Sequence, residues 1–301
     1  MKKKVGLVAV ILIFILVPLL HIGFASEVSE EERALDSGIK VTASADDIWE
    51  SYAKGSVDVS LGEPFRQYAM RTNAGGGKFF HSTLIEYPHE GDARGIILYV
   101  HGFNDYFFQK ELAEKADSAG YAFFAIDLHY CGRSLLPGEN RADMRNMREF
   151  FAEIDYAVDL SRVIAKDSAS SLPMVLMGHS QGGMLVSFYA DQRPEEKFDA
   201  IVLNSPFFDF NFNWLVRNIA IPIISEVAMY LPDFSIGSSG NPYYAYSLNK
   251  KYYGEWEYNV EWKSESRPEQ FLGWIRAIHK AQQELRRGFH IQAPTLVLHG
   301  D

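Results

Sequence analysis

The sequence is poor in cysteine and in basic residues. Cys131 is the only cysteine among 301 residues, so an intramolecular disulfide is impossible and zinc sites built on several cysteines are excluded. Lysine and arginine together number 29, against 39 aspartates and glutamates, and the formal net charge is -10. This balance argues against a nucleic-acid partner, because such proteins need a basic surface along the phosphates. Nothing in the residue pattern indicates a metal ion or an organic cofactor.

Long apolar runs are also scarce, apart from one at the N-terminus. Three lysines precede the apolar residues 5–20, and the small residues Gly23 and Ala25 follow at the spacing of a cleavage site. This arrangement predicts a signal peptide, residues 1–25, and therefore a secreted or periplasmic protein. The run is shorter than the roughly 20 residues that span a bilayer. A membrane anchor formed by uncleaved residues 5–25 is the alternative.

The rest of the chain divides into four segments by composition. Residues 26–61 are polar and acidic and are expected to form a solvated leader. Short apolar segments alternate with amphipathic ones over residues 62–206, which predicts an α/β core with a mostly parallel sheet and helices on both faces. Residues 207–290 break this alternation and are rich in aromatic side chains, which predicts a cap inserted between late strands. Residues 291–301 are expected to begin the C-terminal core strand.

Local hydrophobic periodicity places the individual elements. We predict strands at 65–72, 79–87, 95–100, 121–126, 173–177, 198–203 and 294–298. We predict helices at 109–119, 141–166, 181–190 and 268–287. The first two strands flank a glycine-rich turn and are expected to form a hairpin.

The strongest catalytic signal is Gly178-His179-Ser180-Gln181-Gly182, a Gly-x-Ser-x-Gly pattern. An apolar strand is predicted before it and a helix after it, and a serine on such a sharp turn exposes its hydroxyl. The helix N-terminus also favours negative charge beside the serine. The pattern alone occurs by chance in about one chain in ten of this length, so a glycine-rich turn with a capping serine is the alternative. His179 is expected to point away from Ser180.

Three further segments match one family in the same order along the chain. They read His-Gly-Phe-Asn at 101–104, Asp-Leu-His-Tyr-Cys-Gly-Arg-Ser at 127–134 and Pro-Thr-Leu-Val-Leu-His-Gly-Asp at 294–301. With the serine motif, they resemble the α/β-hydrolases grouped with monoacylglycerol lipases, lysophospholipases and serine aminopeptidases. The resemblance covers about residues 62–210 and 291–301. The segment at 127–134 departs from the usual Asp-x-Arg-Gly-x-Gly-x-Ser at a turn that is structural in the family.

The resemblance implies an α/β-hydrolase fold with Ser180 as the nucleophile. It also implies that the backbone N–H groups of Phe103 and Gln181 hold the oxyanion. His101 is expected to order its loop rather than act as a base. Cys131 is not expected to be a nucleophile, because no cysteine-hydrolase motif surrounds it.

The same resemblance implies a triad acid and then a histidine after the nucleophile. Three histidines follow Ser180, and none matches the family's histidine position: His279, His290 and His299. Asp301 is expected to neighbour the acid rather than to be the acid, and Asp209 is an alternative acid. The expectation is therefore an incomplete chain that lacks its last strands and the triad histidine and is inactive as it stands.

The aromatic cap favours a substrate with an apolar acyl group. We therefore expect hydrolysis of a carboxylic ester, such as a monoacylglycerol or a lysophospholipid. The cap, or an uncleaved N-terminal segment, could contact a membrane surface. One alternative is an amidase or peptidase in which Asp209, Asp233 or Glu255 binds a free amine. The other is a non-catalytic binding protein built on the same scaffold.

Overall fold

A mixed β-sheet forms the centre of the molecule. The computed structural model describes residues 55–75, 78–167, 171–193, 198–237, 242–266 and 268–300. The strands are β1 (Ser56–Val57), β2 (Arg66–Gly75), β3 (Lys78–Tyr87), β4 (Ile96–Val100), β5 (Ala122–Asp127), β6 (Met174–His179), β7 (Ala200–Asn204) and β8 (Thr295–Leu298). The helices are α1 (Lys110–Ser118), α2 (Phe151–Ile164), α3 (Gln181–Gln192), α4 (Ile221–Val227), α5 (Tyr243–Leu248) and α6 (Leu272–Arg286).

The strand order brings two loops together at the carboxyl ends of two neighbouring central strands. The order is β1-β2-β3-β5-β4-β6-β7-β8, with antiparallel pairing from β1 to β5 and parallel pairing from β5 to β8. The chain leaves β4 for β5 on one side and later enters β6 on the other. Val100 pairs with Gly178, so the loops after β4 and β6 start side by side. Such a reversal of strand order opens a crevice at the carboxyl ends of parallel strands.

The sheet is covered on both faces, as its sequence predicts. All six residues of β5 are buried, which fits a strand that is apolar up to its last residue, Asp127. One apolar cluster contains Ala113 of α1, and the opposite cluster takes in residues of α2, α3 and α6. The mostly parallel sheet with helices on both faces confirms the predicted fold class. The predicted hairpin is confirmed as β2 and β3.

Two helices begin later than their periodicity predicts. The predicted helix 141–166 starts at Phe151, after a 3₁₀ turn at Met147–Phe150, because Ala142 has a φ of +55° and the Asn146 side chain caps that turn. The predicted helix 268–287 starts at Leu272. There, Phe271 is extended and pairs with Ser235 in an isolated bridge. A local turn thus sets the first helix start, and a bridge to a distant residue accompanies the second.

The end of the predicted solvated leader packs on the core instead. Asp58 and Leu61 are buried, and β1 pairs with β2. The reason is a buried ion pair: the Arg133 guanidinium lies 2.5 Å from Asp58 and 2.8 Å from Asp127. The predicted signal peptide and the leader up to residue 54 lie outside the described residues. In the ranges that are described, no helix has the length and apolar character needed to cross a bilayer.

A buried histidine ties the loop after β5 to α2. The ring of His129 bonds to Glu153 through Nδ1, its Nε2 lies 3.6 Å from Glu149, and Phe80 stacks on its face at 3.9 Å. Burial disfavours the charged ring, but attraction and hydrogen bonding to the two carboxylates outweigh it and raise the pKa of His129 to about 9. The folded protein therefore holds His129 as a cation at neutral pH.

We expect this cation to make stability depend on pH. The pKa of His129 is higher in the folded chain than in the unfolded chain, so its stabilisation is complete below about pH 6.5 and is lost as pH rises through about 9. The free energy of unfolding, measured by urea titration, should fall by about 3 kcal/mol across that window. His129→Gln/Glu153→Gln removes both charges of the pair and should abolish this fall, whatever its overall stability. An unchanged pH slope in the variant would contradict the assignment.

Candidate active site

Ser180 occupies a strained turn between β6 and α3. Its backbone has a φ of +53° and a ψ of −117°, a region that non-glycine residues rarely adopt. The turn is held by backbone hydrogen bonds: the Ser180 N–H donates to Asn204 at 2.9 Å, and its carbonyl accepts from Phe207 at 2.9 Å. Ser180 is half-buried. The serine therefore stands at the carboxyl edge of the sheet, at the start of a helix.

The glycines of the motif are required by close backbone packing. A Cβ on Gly178 would lie 2.4 Å from the Gly182 carbonyl oxygen. A Cβ on Gly182 would lie 2.3 Å from the carbonyl oxygen of His101, in the loop after β4. Both distances are shorter than any side-chain carbon tolerates. The Gly-x-Ser-x-Gly spacing thus reflects a turn pressed against the neighbouring loop.

The loop after β4 lies directly against Ser180. A Cβ on Gly102 would come 3.2 Å from the Ser180 Cβ, so Phe103 follows immediately beside the serine. His101 is buried, and its ring is engaged on both sides, with Nδ1 2.7 Å from the Gly102 carbonyl and Nε2 accepting the Leu128 N–H at 3.1 Å. These bonds leave His101 with a structural role in the loop.

Trp274, in the segment between β7 and β8, contacts both residues that the family resemblance assigns to the oxyanion hole. The Trp274 ring of α6 lies 4.5 Å from the Phe103 ring, between centroids, and its indole N–H donates to the Gln181 side chain at 3.3 Å. Phe210 lies 6.4 Å from the same tryptophan. The sequence carries no signal for this contact, because Trp274 lies 93 residues after Gln181 in the chain.

A buried charged cluster lies beside the same loop. Asp105 is buried and bonds to the Lys263 ammonium of the cap at 2.7 Å. Its other oxygen lies 3.8 Å from His179 Nδ1, so His179 faces Asp105. Burial lowers the pKa of His179, and Asp105 offsets this only in part. Sequence reasoning assigned no role to Asp105 or Lys263.

The histidines that follow Ser180 are engaged elsewhere. His279 of α6 bonds to Gln283 at 3.0 Å, and burial lowers its pKa. The His299 ring bonds to the Gly300 carbonyl, and His290 is exposed. Within the residues that the structure describes, no histidine side chain is hydrogen-bonded to Ser180.

The candidate acids are likewise placed or paired away from the serine. Asp209 bonds to Arg286 at 2.5 Å and to Arg217 at 3.2 Å. Asp301 lies outside the described residues. Cys131 is buried, and burial raises the pKa of its thiol, which disfavours a reactive thiolate. The structure therefore brings together Ser180, Phe103 and Gln181, and among the described residues no candidate acid or histidine is bonded to the serine.

Comparison with known proteins identifies the family. The family model described as "Serine aminopeptidase, S33" matches residues 91–301. The chain belongs to this family. The match includes the loop after β4, the Ser180 turn and β8.

Two curated relatives of this family member are lipolytic enzymes. A monoacylglycerol lipase of Mycolicibacterium smegmatis is 31% identical over 116 residues, which are 38% of this chain and 39% of that protein. Phospholipase YtpA of Bacillus subtilis is 30% identical over 112 residues, 37% of this chain and 40% of that protein. The chain thus spans about two fifths of the length of these relatives.

Solved structures show the α/β-hydrolase fold. A soluble variant of monoglyceride lipase from Saccharomyces cerevisiae, in complex with a substrate analog, aligns with a TM-score of 0.57 at 15% identity, over 77% of this chain and 75% of that one. A monoacylglycerol lipase of Paleococcus ferrophilus aligns with a TM-score of 0.52 at 20% identity, over 72% and 77%. At these low sequence identities, the structural similarity shows a shared fold alone.

We expect the packing of Gly182 to be intolerant of any side chain. Gly182→Ala forces a Cβ against two backbone carbonyls and should lower the free energy of unfolding by about 2–3 kcal/mol in urea titration. Gly183→Ala is the matched control, because its Cβ would meet Pro206 at 3.1 Å and the helix gains an alanine. That control should change stability by less than about 1 kcal/mol. Equal losses in the two variants would refute the close approach.

Proposed function

We propose that this protein is an exported serine hydrolase that cleaves carboxylic esters of apolar acyl groups, of the monoacylglycerol or lysophospholipid type. The observation that carries the proposal is the strained Ser180 turn, which packs so closely on the loop after β4 that a Cβ on Gly102 would lie 3.2 Å from the Ser180 Cβ. Strain of this kind is retained where a side chain must be presented in one orientation. The two lipolytic relatives support an ester substrate.

In the proposed reaction, the Ser180 hydroxyl attacks the ester carbonyl and forms an acyl-serine intermediate. The backbone N–H groups of Phe103 and Gln181 donate to the oxyanion as charge develops on it. Water then releases the acid and regenerates the serine. The attack needs a general base, and within the described ranges no histidine bonds to Ser180.

An aromatic wall beside the serine supports an apolar acyl group. Phe207 donates its backbone N–H to the Ser180 carbonyl, so the wall starts at the nucleophile. From there the ring contacts run through Phe210 to Trp274 and on to Phe103, with centroids 5.5, 6.4 and 4.5 Å apart. Phe210 and Trp274 are buried, whereas the Phe103 and Phe207 rings are only partly buried. An acyl chain that lies against those two rings would remove apolar surface from water on both partners.

The acids proposed for recognition of a free amine are paired or exposed. Asp209 contacts two arginines, and Asp233 bonds to Arg145 while its side chain is 86% exposed. Glu255 is exposed on the cap. A neutralised or solvated carboxylate gives little binding energy to an ammonium group. This arrangement favours the esterase over the peptidase alternative.

Ser180→Ala tests the proposed nucleophile. In the full gene product, the variant should lose labelling by a fluorophosphonate probe and lose hydrolysis of p-nitrophenyl esters by at least about 10³-fold, because the attacking oxygen is gone. Ser205→Ala is the control, since Ser205 is exposed just after β7, and it should keep both activities. Undiminished labelling of Ser180→Ala would refute the assignment.

The start of the cap supports contact with a lipid surface. Phe212, Trp214, Leu215 and Ile219 are between 40% and 65% exposed and lie within one short segment. Solvent-exposed aromatic and aliphatic groups in such a cluster bury apolar area when they enter the boundary of a bilayer. The acidic net charge of -10 disfavours anionic lipids and favours a zwitterionic surface.

We expect Trp214→Ser/Leu215→Ser to weaken vesicle binding. The double variant of a protein that starts at Ser26 should bind phosphatidylcholine vesicles at least about 10-fold more weakly in a sedimentation assay, because two apolar anchors are lost. Tyr253→Ser is the control, since Tyr253 is 88% exposed but lies elsewhere on the cap. Equal binding by all three proteins would exclude this surface.

A further inference from the structure

The cap contacts four consecutive residues of the loop beside Ser180. Phe103 packs on Trp274 with ring centroids 4.5 Å apart, and the Asn104 side-chain amide donates to the Ser264 carbonyl at 3.3 Å. Asp105 and Tyr106 then bond to Lys263 and to the Asn259 backbone, each at 2.7 Å. Every residue from 103 to 106 thus meets the cap, although these partners follow the loop only much later in the chain.

The loop needs such support because its backbone is strained. Asn104 has a φ of +50°, a conformation that costs a non-glycine residue free energy unless its surroundings hold it. The loop also has little freedom on its other side, where Gly102 lies against the Ser180 turn. The position of the Phe103 N–H therefore depends on contacts made by its neighbours in the loop.

Of these contacts, the ion pair of Asp105 and Lys263 is the one between two charged side chains. The two side chains are 4% and 9% exposed, and the Lys263 ammonium also lies 5.4 Å from the Phe108 ring centre. Removal of one partner from such a pair leaves an uncompensated buried charge. The second Asp105 oxygen lies 3.8 Å from His179, so the same carboxylate adjoins the residue before the nucleophile.

We propose that Lys263 is a positioning residue: through Asp105 it holds the 102–106 loop so that the Phe103 N–H meets the oxyanion. This inference rests on the proposed function of Ser180. Lys263 does not touch the reacting atoms, and it acts on them through the loop. The cap of this protein therefore completes the oxyanion hole as well as covering the substrate.

Steady-state kinetics of Lys263→Met in the full gene product test this role. An oxyanion donor acts on the transition state more than on bound substrate, so kcat for a p-nitrophenyl ester should fall about 10- to 100-fold while KM stays within about twofold. The double variant Lys263→Met/Asp105→Asn also removes the Asp105 charge that Lys263→Met leaves unpaired. It should recover much of the thermal stability lost in the single variant but not its kcat.

Lys110→Met is the matched control. The Lys110 ammonium donates to the Leu61 carbonyl at 2.8 Å, outside the loop, so its loss should lower stability and leave kcat unchanged. A wild-type kcat in Lys263→Met would overturn the positioning role but not the proposed function. Recovery of kcat together with stability in the double variant would do the same. A rise in KM with kcat unchanged would also overturn it, because Lys263 would then bind substrate. Absence of fluorophosphonate labelling in the wild-type protein would overturn the proposed function and this inference with it.

Discussion

The close approach of two backbones at the Ser180 turn is the constraint on which the site depends. Gly182 can lie against the His101 carbonyl only because it has no side chain, and Gly178 meets the Gly182 carbonyl in the same way. This contact requires β4 and β6 to be neighbours, which the reversal of strand order provides. The half-buried serine, its helix and the loop carrying Phe103 therefore belong to one packed unit. A fold that separated these strands would lose the arrangement whatever its sequence motif.

Buried ionic contacts hold the loops that surround this unit. Arg133 joins Asp127, at the end of β5, to Asp58, and His129 joins the following residues to Glu153 of α2. Asp105 and Lys263 form a similar buried ion pair at the loop after β4. Burial of such a pair costs desolvation energy, which burial of an apolar contact does not. Each charged group, however, can be satisfied by few other partners in the protein. The sheet itself is held by apolar packing, whereas the loops at its carboxyl edge depend on charges placed at single positions.

Local patterns sufficed for the sheet and for the turn at Ser180, because strands, helices and the Gly-x-Ser-x-Gly spacing are set by neighbouring residues. They failed where an interrupting turn or a distant residue decides. The helix predicted from 141 starts at Phe151, since a turn at Ala142 interrupts it, and residues 55–61 pack on the core because Asp58 meets Arg133. Lys263 lies 158 residues from Asp105, so periodicity and spacing contain no trace of their contact. The assignments of Phe103 and Gln181 remain predictions that the geometry supports.

The contacts of Trp274 connect substrate choice with the proposed chemistry. Its ring belongs to the aromatic wall beside the serine, and the same ring packs on Phe103 and bonds to Gln181. An acyl chain that lies against the partly buried Phe103 ring would therefore contact the residue that carries one proposed oxyanion donor. The same ring packs on Trp274, which bonds to the residue that carries the other. Binding energy from the non-reacting part of a substrate raises kcat only when it is used to align groups in the transition state. In the proposed reaction, a long apolar acyl group would gain in kcat as well as in affinity, whereas a short one would leave the alignment to the Asp105–Lys263 pair.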